Sequence, residues 1–316
     1  MSLRFGAVLN TEQRPMLPTA LAPTDSGDHR LPDASSPIQL DVPSTLQIVD
    51  LQSVLLHEVH DPSRAAPLGT RIAQDGMQRH PVILAHNRYG PLVHLDGANR
   101  IAALAGLGCR HVAAQIVDYA DPEAVRLDTW LHLARFQAPG LLATSADWSC
   151  CALHATTAEQ ALAMVSGDQA AAAVLCRDGQ AFALLSGMGL ADRVEAMRCL
   201  IDAQRGPVVR EAMPQADVLA VMRDLLTASA DADACIAFAT LGKADVITLA
   251  SNMKELLPSG ITRHIVSCGR VLNINVPLSL LQSDLPGEEK TRQLTEMLAR
   301  RRKRVYTEPI VAYESY

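Results

Sequence analysis

The chain has 316 residues, 48% of them apolar and 20% charged, proportions of an ordinary globular protein of about two domains. Its formal net charge of −6, from 34 acidic and 28 basic residues, disfavours broad nucleic-acid binding, which needs a basic surface to displace counterions. No run is apolar and long enough to span a bilayer and no basic-then-apolar leader opens the chain, so no membrane partner is expected and the expected compartment is the cytoplasm.

Residues 10–45 are rich in Pro, Ser, Thr and Asp and bury too little apolar surface to offset their ordering entropy, so 1–44 reads as a tail. A short strand is expected at 47–50. Asp61-Pro62 marks a helix start, and the helical pattern that follows closes at Gly76, with Pro67 and Gly69 blurring its beginning. "PVILAH" and "PLVHL" flank "NRYG" as the arms of a hairpin. A helix over roughly 98–107 ends before Gly108, and "HVAAQIVDY" is a further strand, which completes a small mixed α/β unit over 45–138.

A second α/β unit is expected over 139–316. "CCALHA" and "AAAVLC" read as strands around a helix that starts at Thr157, and "RDGQ" turns into the strand "AFALL". Helices follow at 190–204 and 214–228, then a buried strand "CIAFATL". "GITRHIV", "RVLNINVPL" and "VYTEPIVAY" are strand candidates, with a charged helix over 288–303 before the last. Arg300, Arg301, Arg302, Lys303 and Arg304 end that helix; they form either a basic stripe or a solvated terminus that complements the helix dipole. The seven cysteines, 109, 150, 151, 176, 199, 235 and 268, are odd in number and show no Cys-x-x-Cys spacing, so they read as core residues in a reducing compartment, without a disulfide framework or a zinc site.

Three stretches carry chemistry. In "VHLDGANRIAALAGLG" a strand ends at Asp96-Gly97 and a helix begins at Asn99-Arg100. A helix start presents unpaired N–H groups, Gly97 lets the backbone approach an anion, and Arg100 can fork onto phosphate oxygens. Asp96 could hold a metal ion or accept from a ribose or an amine. An ordinary Asp-Gly turn with an exposed Arg fits the same residues, and pattern alone does not separate the two. In "LHEVHDP", Asp61 is placed as the N-cap before Pro62, whereas Glu58 caps nothing and is the better candidate for a general base. In "SGITRHIV", Thr262, Arg263 and His264 interrupt an apolar strand, as either a carboxylate-binding set or the wet side of an edge strand. Trp130 is a packing anchor or a pocket wall. P-loop, dinucleotide-fold, zincin and serine-hydrolase motifs are absent from the sequence.

The order helix, "DG", "HPVIL", hairpin, "LDGANR", helix, "LGC" resembles the ParB/sulfiredoxin-like fold, in which a Gly-x-x-Arg loop at a helix N-terminus binds nucleotide phosphates; here that loop is Gly97-Ala98-Asn99-Arg100. Sulfiredoxins carry a catalytic Cys where this chain has Ala98. Partition ParB proteins carry a second Arg and a helix-turn-helix domain where this chain has a single Arg and an α/β second half; a ParB-like, nucleotide-responsive DNA-binding regulator, supported by the shared loop and the basic run 300–304, is the alternative reading. The chain is more similar to the free L-serine kinases of this fold, over about 45–313, through "LHEVHDP", "LDGANRIAAL", "LGCRHVAAQIVDY", "TWLHL", "GITRH" and "RRKRVYTEPIVAY". The resemblance implies Mg²⁺-dependent phosphoryl transfer from ATP or ADP to free L-serine, giving O-phospho-L-serine for 2,3-diaminopropionate and siderophore synthesis. It implies Glu58 as the base and Asp96, Gly97, Asn99 and Arg100 on the nucleotide side, with Asp96 near Mg²⁺. Thr262, Arg263, His264 and Trp130 would lie on the serine side.

Overall fold

In this computed structural model, the described residues are 45–86, 91–136, 141, 145–205, 209–214, 216–251 and 256–306. The expected tail over 1–44 lies outside them. The fold is mixed α/β, built on two main sheets.

The first sheet begins with β1 (Leu46–Asp50) and β2 (Val54–Leu55). After α1 (Pro62–Asp75) come β3 (Met77–Gln78), β4 (Val82–His86) and β5 (Leu92–Asp96), then α2 (Ala98–Gly106) and β6 (His111–Asp118). The sheet order is β1-β6-β4-β5-β2. β4 and β5 are antiparallel, as the hairpin pattern predicts, although their turn at 87–90 lies outside the described residues. β6 pairs antiparallel with β1 and parallel with β4, and seven of its eight residues are buried, which explains its near-continuous apolar run. Helix α1 starts as expected: the Asp61 carboxylate accepts from the Ser63 N–H at 3.0 Å, and Pro62 occupies the first turn, where its missing N–H costs nothing. Gly76 closes the helix at φ +65°, and Pro67 lies inside it.

The second sheet takes β7 (Val125–Ala134), β8 (Cys151–Thr156), β9 (Ala172–Cys176), β10 (Ala181–Ser186), β11 (Val209–Ala212) and β12 (Ala234–Phe238) in the order β11-β7-β12-β9-β10-β8. Helices α3 (Ala158–Ser166), α4 (Leu190–Asp202), α5 (Val218–Ala228) and α6 (Lys243–Ser251) connect its strands. β13 (Thr262–Val266) pairs antiparallel with the first half of β7, Thr262 opposite Thr129 and His264 opposite Leu127. β14 (Val276–Pro277), α7 (Leu278–Gln282) and α8 (Gly287–Ala299) complete the chain order.

Several expectations meet a different structure. The expected division at 138/139 does not follow a sheet boundary, because β7 is an inner strand of the second sheet. The last elements also return to the first sheet: β14 pairs β3, α8 packs on β1, and Ile274, Val276, Leu281 and Leu294 join the core formed by Leu46, Val82, Leu84 and Leu104. The described residues all belong to one compact unit. The strand expected over 270–278 shrinks to Val276–Pro277, since Asn273 and Asn275 take left-handed backbone at φ +58° and +49°. The strand expected at 305–313 falls mostly outside the described residues, and 305–306 are not in a strand. Arg301 is structural, its guanidinium donating to the Ile274 carbonyl at 2.6 Å. Among the described residues no helix is long and apolar enough to cross a membrane.

Candidate active site

Glu58 sits just after β2, on a segment pinned from three sides. The Leu257 N–H donates to the His57 carbonyl at 2.9 Å, and the Val59 N–H donates back to the Leu257 carbonyl at 2.8 Å. On the far side of Glu58, the Asp61 N–H donates to Asn99 Oδ1 at 2.8 Å, which ties this segment to the start of α2. His57 is fully buried; its Nδ1 bonds the His94 carbonyl and its Nε2 the Thr262 hydroxyl, both at 2.8 Å. Burial and the neighbouring His94 and His264 push its pKa well down, so His57 is a neutral bridge between strands.

The Glu58 carboxylate accepts from the Gly260 N–H at 3.3 Å and lies 3.3 Å from the Thr262 hydroxyl, whose one proton is shared between Glu58 and the nearer His57 Nε2. Burial raises its pKa from the ordinary 4.5 to about 7, and Asp96 adds to the rise. The Gly260 N–H, Arg210 and Thr262 oppose it without reversing it. Such a carboxyl group changes its charge at the pH where a base must first hold and then release a proton.

Facing it is the β5–α2 junction. Gly97 takes φ +106°, and a Cβ there would lie 2.9 Å from Val82 Cγ1 and 3.1–3.2 Å from the Arg100 guanidinium, so only glycine fits. Ile101 is the first α2 residue whose N–H turns back to the Gly97 carbonyl, at 2.9 Å, so the N–H groups of 98–100 are those a helix start offers to an anion. The Arg100 guanidinium donates to the Pro81 carbonyl at 2.8 Å and lies 3.6 Å from Asp96 Oδ2. Arg270 pairs with the same Asp96 oxygen, and it also donates to the His264 carbonyl at 3.2 Å. Burial works against ionisation of Asp96, but Arg100 and Arg270 outweigh it and hold its pKa down at about 2.

The structure therefore brings Glu58, Asp96, Gly97, Asn99, Arg100 and Thr262 together, with His264 close behind. His264 is buried, its Nε2 bonded to the Tyr119 hydroxyl at 2.9 Å, and its ring meets His57 edge-on at 5.3 Å. Arg263 does not join them. Alternation along β13 sends it to the opposite face, where its guanidinium lies 5.1 Å from the Trp130 ring centroid and 3.9 Å from Asp128 Oδ2. Trp130 supports the strand by donating from Nε1 to the Thr262 carbonyl at 3.1 Å. Asn99 spends its side-chain oxygen on Asp61, a tethering role the phosphate-loop reading did not include.

Arg270, Arg210 and Gly260 were missed. Arg210 donates to the Ser259 carbonyl at 3.1 Å beside Gly260, and it adds positive charge near Glu58. "CGR" and "VVR" carry no spacing signal, because these residues reach the site only through pairing of distant strands.

Mg²⁺ binds through one or two carboxylates plus substrate phosphates. The donor set here fits that pattern, with Asp96 ionised beside the N-terminus of α2. Among the described residues no group of three His, Cys, Asp or Glu surrounds Asp96, so most of an ion's ligands would come from the nucleotide and water.

No family model matches the sequence. The fold is that of the free serine kinases: a free serine kinase carrying a glutamate-to-glutamine substitution, in complex with AMP, superposes with a TM-score of 0.61 at 17% identity, covering 75% of this chain and 94% of that one. C-terminally truncated SbnI from Staphylococcus aureus superposes with a TM-score of 0.62 at 20% identity, covering 82% and 98%. In sequence, the chain is 24% identical over 272 residues to the ATP-dependent L-serine kinase SbnI of Staphylococcus aureus, across 85% of this chain and 97% of that protein. The family resemblance carried by the six motifs is borne out.

Proposed function

We propose that this protein is a kinase that transfers the γ-phosphoryl group of ATP to the hydroxyl of free L-serine, giving O-phospho-L-serine and ADP. One observation carries the reading: a carboxyl group poised near neutrality, Glu58, lies beside an anion-binding helix start lined by Gly97, Arg100 and the Arg270–Asp96 pair. The likeness to an ATP-dependent L-serine kinase over nearly its full length supports it.

Serine's hydroxyl is a weak nucleophile at neutral pH, and ionised Glu58 takes its proton as the oxygen attacks the γ-phosphorus. The Gly260 N–H holds that carboxylate in place, with the Thr262 hydroxyl beside it. Phosphoryl transfer needs positioning and charge neutralisation more than covalent help, and the N–H groups of 98–100 with Arg100 supply both on the nucleotide side. Mg²⁺, held by Asp96 and the phosphates, would neutralise charge on the transferring group. Thr262 and His264 shape the serine side, and the Arg263–Trp130 stack fixes the strand that carries them. The product would feed 2,3-diaminopropionate and siderophore synthesis, and the enzyme would work in the cytoplasm.

Phosphorus NMR of the protein with L-serine, Mg²⁺ and ATP tests the reading, with ADP as a second donor. Phosphoserine should accumulate with ATP, and its absence with both donors would sink the proposal. Glu58→Gln should lower kcat by about 10²–10⁴-fold while nucleotide affinity stays unchanged.

A further inference from the structure

Away from this site, the second sheet gathers three cysteines that the sequence keeps apart. Cys150 precedes β8, Cys151 is its first residue, and Cys199 lies on α4. Cys150 Sγ is 3.1 Å from Cys199 Sγ and 3.6 Å from Cys151 Sγ, and all three sulfurs lie within 4.8 Å of one another. Each is half-buried and none is in a disulfide.

We propose that Cys150, Cys151 and Cys199 bind one thiophilic d¹⁰ cation, Zn²⁺ or Cu⁺. Sulfurs bound to a single zinc at about 2.3 Å stand roughly 3.8 Å apart in a tetrahedral arrangement; two separations here, 3.1 and 3.6 Å, are somewhat shorter and the third is within 4.8 Å, so a small outward shift of the side chains admits the ion. Soft thiolates select these cations over harder ones, and three protein ligands satisfy trigonal Cu⁺ or leave one position of Zn²⁺ for water.

Without a cation the cluster is electrostatically crowded. Three thiolates within 4.8 Å of one another would repel one another with no cation between them. A bound cation removes that repulsion: three S–H bonds break, three S–metal bonds form and three protons pass to solvent, leaving Zn(SR)₃⁻ or Cu(SR)₃²⁻. Half-burial gives the ion an entry path while shielding the sulfurs from bulk water.

The test uses the full chain, kept reduced with a phosphine. Zn²⁺ is titrated against a chromophoric chelator and Cu⁺ against a Cu⁺-selective one, in separate arms. We expect one equivalent retained in at least one arm, with proton release in weak buffer and protection of three of the seven thiols from alkylation. Cys199→Ser and, separately, Cys150→Ser should weaken binding at least about 100-fold, beyond the loss typical of removing an outer-shell partner. The Cys150 variant lies outside a regular element, so it keeps the test open if the helix variant fails to fold. Retention of one metal alone assigns that metal. No retention in either arm, unchanged affinity in both variants, or an unaltered alkylation pattern would overturn the proposal.

Discussion

At the scale of single residues, Glu58 and Asp96 show how environment separates two carboxylates. Burial dominates at Glu58 and takes it to about 7, whereas two guanidinium groups dominate at Asp96 and take it to about 2. Ionised Glu58 is the active form, so kcat/KM should rise about tenfold per pH unit up to about 7 and then level off, with the limb absent in Glu58→Gln. The same shift has a thermal consequence. A carboxyl group whose folded pKa is raised contributes stability that is full below the unfolded value of 4.5 and is lost as pH rises through about 7. Melting followed against pH should show Tm of the wild type falling across that window relative to Glu58→Gln, and the variant should melt no lower above pH 7. Gly97 is the other residue whose role is local. Gly97→Ala meets Val82 and the Arg100 guanidinium in left-handed backbone and should cost about 1–3 kcal/mol, together with nucleotide affinity read by calorimetry.

At the scale of elements, the site depends on how the Glu58 segment and the start of α2 are held together. The Asn99 side chain accepts the Asp61 N–H, and His57 bridges β5 and β13. Asn99→Ala should therefore lower kcat more than it weakens nucleotide binding, because it frees the segment that carries the base; an effect on nucleotide affinity alone would return Asn99 to a purely phosphate-binding role. Much of this layer was legible in the sequence. The Asp61-Pro62 start, the Gly76 stop, the β4–β5 arms and the β5–Gly97–α2 junction follow from caps, turns and period, which act over a few residues. β7 was not legible as a strand. Its alternation is masked because both its faces are packed, Leu131 and Leu133 into one core cluster and Ala134 into another, leaving buried residues in succession over Leu131–Ala134. Helix α6 was missed for a related reason, since its apolar residues make no single stripe.

At the scale of the whole molecule, the chain closes on itself. The last described helix, α8, returns to β1, where Thr291 Oγ1 accepts the Ile48 N–H at 2.9 Å. Lys290, on the same helix, is fully buried, its ammonium held by His111 Nδ1 at 2.9 Å and by the Leu281 and Ser283 carbonyls at 3.0 and 2.8 Å. Leu294 is fully packed in the core of the first sheet although 190 or more residues separate it from most of its partners there. Leu294→Ala should therefore destabilise the protein by about 2–5 kcal/mol in denaturant unfolding, and it should loosen the nucleotide side of the site with it. A separate C-terminal unit would predict no such coupling.

By itself the sequence determined the α/β class, most element boundaries, the candidate base and the phosphate-binding helix start, because those signals are carried by neighbours in the chain. The pairing of β13 with β7, the convergence of Arg270 and Arg100 on Asp96, and the gathering of Cys150, Cys151 and Cys199 were decided by tertiary structure. Charge–charge interactions fall off over a few ångströms of space and take no account of distance along the chain. Arg100 is a near neighbour of Asp96 in the chain, but Arg270 and the groups that tune Glu58 come from segments tens to hundreds of residues away, and only the folded backbone brings them within reach.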